Sequence, residues 1–207
     1  MQPLRPTQAR DRVFRLVKTD LADALRTARE IDPPWYRAQA LATVAAATPD
    51  ARERRRLAEE SFRVAEEQEE PNRVATVSSW PLAVLARDLP AEQIEAHVDR
   101  LAGLLDREPN PVRRCDALFM VAYHLRDVAP RPFLHAARRC AQAAKGGHGW
   151  KRDRNLKDLV LMLWCRGQRE LAEALREDIE DARVKRQATR GMTEKDFGCY
   201  EGEGKPG

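Results

Sequence analysis

Glycine is almost absent from the first 145 residues of this 207-residue chain, where only Gly103 occurs. Glycine weakens a helix interior by about 1 kcal/mol relative to alanine, so its absence leaves room for long helices joined by short turns. Aromatic residues are also scarce, at 6%, and β-branched residues never form an alternating run, which argues against a strand-built domain. No apolar stretch approaches eighteen residues, and no transmembrane helix is expected. Met1 to Arg15 lacks both an apolar core and a small-residue cleavage site, so it does not read as a secretory signal. The cysteines Cys115, Cys140, Cys165 and Cys199 form no CxxC pair and read as free thiols of a reducing cytoplasm.

What the chain does contain is Ala, Leu, Arg and Glu, all good helix formers. Hydrophobic residues make up 43% and charged residues 34%, the second a high share. Prolines punctuate the chain at Pro33–Pro34, Pro49, Pro71, Pro90, Pro109–Pro111 and Pro130–Pro132, and Gly146, Gly147, Gly149 and Gly167 continue the series. Proline suits a first helical turn and breaks an interior, so each mark is a helix boundary and two marks enclose one hairpin. Pro81 is the misfit, inside a segment that otherwise reads as one helix over 72–88; it implies a kink there or a fresh start capped by Ser78 and Ser79.

The segments between marks also resemble one another. Arg37, Ala40, Leu41 and Val44 line up with Arg114, Ala117, Leu118 and Val121, while segments from Arg73 and Arg152 fit more loosely. Alternate helices carry apolar stripes such as Ile94, Val98, Leu101 and Leu105, which a lone hairpin cannot bury. The expected fold is all-α: a solenoid of αα-hairpin repeats in a right-handed superhelix, with nine or ten helices over residues 1–190. The last helix is expected at 168–188. Residues 191–207, rich in glycine, read as a disordered tail.

The run Ala24-Leu25-Arg26-Thr27-Ala28-Arg29-Glu30-Ile31-Asp32, followed by Arg37-Ala38-Gln39-Ala40-Leu41-Ala42, resembles bacterial tetratricopeptide-like and HEAT-like helical repeats. The likeness extends over about residues 20–188, without the full tetratricopeptide signature. It implies a scaffold that presents an extended surface to a partner; fold alone does not name the ligand.

Charge is uneven. The net +4 divides into +2 for residues 1–50, −4 for 51–110, +8 for 111–170 and −2 for 171–207. A basic block on a solenoid attracts acidic protein surfaces or nucleic-acid phosphates, although charge runs on helices commonly serve solubility alone. Head-to-tail self-association would pair the acidic segment with the basic one. Arg37, Arg73, Arg114 and Arg152 recur near helix starts, where the macrodipole disfavours cations; salt bridges at the turns are the simplest account, and a ligand-facing ladder is the sharper one.

The segment Gly146 to Asn155 is the most unusual stretch: glycines lead into a helix start, Trp150 offers a stacking ring, and Lys151, Arg152 and Arg154 supply cations. The other tryptophans, Trp35, Trp80 and Trp164, read as packing residues, with Trp80 aligned to the apolar positions of Val44 and Val121. His97, His124, His135 and His148 make no metal motif, and no nucleophile–base arrangement is legible.

The sequence therefore points to a cytoplasmic, non-enzymatic interaction scaffold without metal, cofactor or catalytic residues and without a membrane partner. Its expected partner is an acidic protein or peptide, met by Arg114, Arg138, Arg139, Trp150, Lys151, Arg152 and Arg154. The alternatives are a nucleic-acid-binding helical repeat, with glycosylase-like chemistry as its enzymatic extreme, and a structural subunit of a larger assembly.

Overall fold

The computed structural model describes residues 5–193. Eleven helices are present among them: α1 (Pro6–Leu16), α2 (Leu21–Arg29), α3 (Pro34–Ala47), α4 (Ala51–Ala65), α5 (Pro71–Leu85), α6 (Ala91–Leu105), α7 (Pro111–Leu125), α8 (Pro130–Ala144), α9 (Trp150–Cys165), α10 (Arg169–Glu177) and α11 (Ala182–Thr193). Proline occupies the first helical position of α1, α3, α5, α7 and α8, where its missing N–H is not needed. Asp20, Asp50 and Asn110 cap α2, α4 and α7 by accepting backbone N–H groups of the first turn, a contribution of about 1 kcal/mol each. Gly149, at φ 109°, turns the chain into α9, a conformation that a side chain would strain.

The helices stack as hairpins in two layers. The odd-numbered helices pack side by side in sequence, α1 on α3, α3 on α5, and so on to α9 on α11; the even-numbered helices cover one side of that row. Odd helices α3, α5, α7 and α9 are therefore wrapped on several sides, which explains why they are apolar around much of their circumference. A shared burial register runs through them. Leu41, Ser78, Leu118 and Leu156 are equivalent, as are Val44, Pro81, Val121 and Leu159, all of them buried.

That register corrects the alignment of the segment from Arg73 by one residue. Val74, not Arg73, is the counterpart of Arg37, Arg114 and Arg152, and Pro81, not Trp80, takes the core position of Val44 and Val121. Helix α5 runs unbroken through the buried Pro81, so Ser78 and Ser79 start no new helix. Ser79 Oγ instead donates 2.6 Å to the Thr76 carbonyl within α5.

Among the even helices α6 and α8 pack directly on one another. Across the layer, arginines span the gaps. Arg29 meets Glu60, Arg100 meets Glu66, Arg131 meets Glu92 and Glu95, and Arg139 meets Asp99. These pairs are partly exposed and singly worth little. They also set the acidic and basic segments of the sequence against each other within one chain, so the charge asymmetry is partly cancelled between neighbouring repeats.

The C-terminal region departs from the expectation of one helix over 168–188. The chain breaks between α10 and α11 around a buried ion pair. Arg152 is 6% exposed and Asp153 1% exposed, and their side chains meet at 2.6 Å. Arg152 also donates to the carbonyls of Ala144 and Asp178, and Asp153 accepts the backbone N–H groups of Glu180 and Asp181. Helix α11 continues through Gly191, whose lack of a Cβ lets it lie against Leu161 of α9, where an added Cβ would sit 2.5 Å away. The expected tail boundary at 191 therefore falls inside a helix, and 194–207 lie outside the described residues.

Candidate functional site

The outer ridge of the odd row forms one surface, here termed the odd face. Its main feature is a cavity of about 480 Å³ at the C-terminal ends of α3, α5 and α7, with Thr43, Ala46, Trp80, Arg87, Tyr123, His124 and Arg126 in its lining. Rings run through it in series: Phe14 stacks on Trp80 with centroids 6.1 Å apart, Trp80 meets His124 edge to face at 4.9 Å, and Tyr123 follows at 5.6 Å from His124. Arg126 lies 4.0 Å above the Tyr123 ring, and Arg10 holds both Phe14 and Tyr36. Trp80 and Tyr123 are half-buried, leaving ring surface in the groove.

His124 has a defined protonation state. Burial, joined by the nearby Arg126 charge, pushes its pKa down to about 4, so the ring is neutral at pH 7. Ser79 Oγ spends its only proton on the 2.6 Å bond to Thr76, leaving the 3.1 Å contact with His124 Nδ1 to be donated by the imidazole. The other ring nitrogen, Nε2, is then an acceptor. Ser79 is fully buried, so this serine–histidine contact fixes a ring and exposes no nucleophile.

The same face carries cations at the helix starts. Arg73 and Arg113 share Glu70 at 3.2 and 3.3 Å, and Lys151 lies 2.6 Å from Asp116, which also accepts from Asn155. Trp150 is 62% exposed, the large hydrophobic most open to solvent among the described residues, and Arg154 stands 5.5 Å from its ring centroid.

The expected site residues thus separate. Trp150, Lys151 and Arg154 come together on the odd face. Arg114 and Arg139 line a different cleft, between α6, α7 and α8. Arg138 is exposed on α8. Arg152 belongs to the interior: its guanidinium is buried and engaged by Asp153 and two carbonyls, and the surface role expected of it is not open to it. Of the recurrent arginines, Arg37 meets Glu67 and Arg73 meets Glu70 at the turn before α5; Arg152 pairs instead with its neighbour Asp153 inside α9, and Arg114 has no ion pair among the described residues.

Trp80, Tyr123 and His124 are the residues that sequence reasoning missed. The signal was the buried Pro81, which shifts Trp80 from the core onto the position of Thr43 and Met120. Trp35 packs beside Ala38, Ala65 and Val77, and Trp164 lies under Arg169, as packing residues should. Among the described residues no group of His, Cys, Asp and Glu is arranged to hold a metal ion. His124 serves Ser79, His135 serves Asp99, and Cys140 lies 3.8 Å from Cys115 in the core. No helix of the described residues is long and apolar enough to cross a membrane.

Comparison with protein-family models, with curated proteins and with solved structures finds no match to this chain.

Proposed function

We propose that the chain is an interaction scaffold, working in the manner of tetratricopeptide-like and HEAT-like repeats, that holds a segment of a partner protein along its odd face. Apolar side chains of the segment seat in the cavity between α3, α5 and α7, and acidic side chains meet Arg73, Arg113, Lys151 and Arg154 at the helix starts. The observation that carries this reading is the series of half-buried rings around a 480 Å³ cavity. Half-buried tryptophan and tyrosine in a preformed groove are the residues that dominate protein interfaces. The His124 acceptor orients a donor group of the segment, and no bond chemistry or cofactor is involved. In this reading the protein is cytoplasmic, and Trp150 extends the contact beyond the groove.

The test is a peptide display selection against the full chain, followed by affinity measurement on the peptides recovered. Trp80→Ala should weaken binding by roughly thirtyfold or more, the size of an interface hot spot, with Tyr123→Ala close behind. Peptides that bind both variants as they bind the parent chain would remove the odd face from consideration. The nucleic-acid alternative rests on Trp150 and its neighbouring cations; it requires a binding constant that drops steeply with salt, and electrophoretic shift at low salt decides it.

A further inference from the structure

A second cavity opens on the other side of the stack. It has a volume of about 400 Å³ and lies between α6, the start of α7 and the end of α8. Arg114 lines it, together with Arg139, Gln142 and Lys145, and Asp99 and Asp106 form its α6 wall.

Arg114 is the anomaly. Its counterparts are paired: Arg37 with Glu67 and the Ile31 carbonyl, Arg152 with Asp153 and two carbonyls. Arg114 Nε is buried without any hydrogen-bond partner among the described residues, and the guanidinium cannot shed its charge by deprotonation. The acids nearby do not answer it. Asp99 is taken by Arg139 at 2.6 Å and His135 at 2.8 Å. Lys145, just past the end of α8, also has no acidic partner among the described residues. The cleft therefore holds two cations that make no ion pair among the described residues, Arg114 and Lys145, with Gln142 as a neutral donor in the same lining.

We propose that this cleft binds a phosphate monoester, carried by a small molecule or by a protein side chain. The donors come from two helices, Arg114 from α7 and Gln142 and Lys145 from the α8 side. A planar carboxylate is satisfied by one guanidinium fork, whereas a phosphate presents oxygens in several directions and suits donors that do not share a plane. The volume exceeds that of the bare ion and leaves room for the organic body of the ester. That body faces Asp106, a carboxylate without a cation partner among the described residues, which favours a hydroxyl-bearing group over a second anion. The site is independent of the odd face.

Isothermal titration of the full chain with inorganic phosphate, glycerol 3-phosphate and a phosphoserine peptide tests the proposal. At least one probe should saturate with one-to-one stoichiometry. Arg114→Gln should weaken it by about tenfold or more, the loss of a charged hydrogen bond, while Arg154→Gln on the odd face leaves it unchanged. Lys145 is exposed, so Lys145→Gln, expected to weaken binding about threefold to tenfold, carries the test if Arg114→Gln does not fold. Tighter binding of glycerol 3-phosphate assigns the ester to a small molecule, and tighter binding of the peptide assigns it to a protein; either outcome supports the site. No saturation below roughly 10 mM, full binding by both cleft variants, or equal weakening by Arg154→Gln would each overturn it.

Discussion

The two layers of this protein are held together in different ways. Odd helices touch their neighbours through alanine, leucine and valine, buried along a register that repeats from α3 to α9. Even helices rely on that row for support and reach one another across the layer largely by arginine–carboxylate pairs. Packing is close to salt-independent and costly to disturb, whereas exposed ion pairs are weak and screened. The lesson is that the odd row has stability to spare for a ridge of half-exposed rings, while the even layer can exchange charges at little expense.

The sharpest way to break this comparison is at the buried ion pair of α9, Arg152 with Asp153. Asp153→Ala leaves the Arg152 guanidinium buried without its acid and frees two backbone N–H groups at the start of α11. It should cost about 3–5 kcal/mol in urea unfolding. A loss no larger than that of an exposed pair would show that the odd row is not distinguished by burial.

Next in size is a pH effect from the groove. His124 titrates at about 4 in the folded protein and near 6.5 unfolded. Between these values the unfolded chain binds a proton that the folded chain does not, so stability is complete above pH 6.5 and falls as the pH drops toward 4. The total is roughly 3 kcal/mol. His124→Gln should flatten most of that slope in urea unfolding at pH 7, 5.5 and 4.5. His97, half-buried against Phe62 and lowered chiefly by burial, accounts for a remainder of the same sign. A slope unchanged by His124→Gln would mean that the histidine charges freely where it sits.

The smallest effect belongs to the even layer. Arg131→Gln, which removes contacts to Glu92 and Glu95, should lower the urea midpoint slightly at low salt and not at all near 1 M sodium chloride. A large, salt-insensitive loss would erase the distinction between the layers.

The helix boundaries marked by proline were legible from local chemistry, because proline at a first turn acts within a few residues. The split between α10 and α11 was not. No glycine or proline marks it; the break is made by Arg152 and Asp153, about 26 residues upstream of the carbonyl and N–H groups they hold. The groove was hidden for a related reason. Matching Trp80 to Val44 was the natural alignment by apolarity, and only the three-dimensional register shows that a proline fills the core position and turns the tryptophan outward. Of the basic residues expected at the surface, Trp150's neighbours Lys151 and Arg154 could be placed from sequence, but the acidic partners of Arg113, Arg131, Arg139, Lys151 and Arg166 lie about a repeat away.

The even-layer ion pairs carry a consequence for how such a chain lengthens. Helix α4 presents Glu60 to the arginine of the helix before it and Glu66 to the arginine of the helix after it; α6 likewise offers Arg100 backward and Asp99 forward. Helix α6 thus bears both halves of its fastening, whereas α4 offers acids to both sides. A duplicated α6 hairpin would arrive with a clasp for its own copy, so the array can grow by that unit without inventing a new joint.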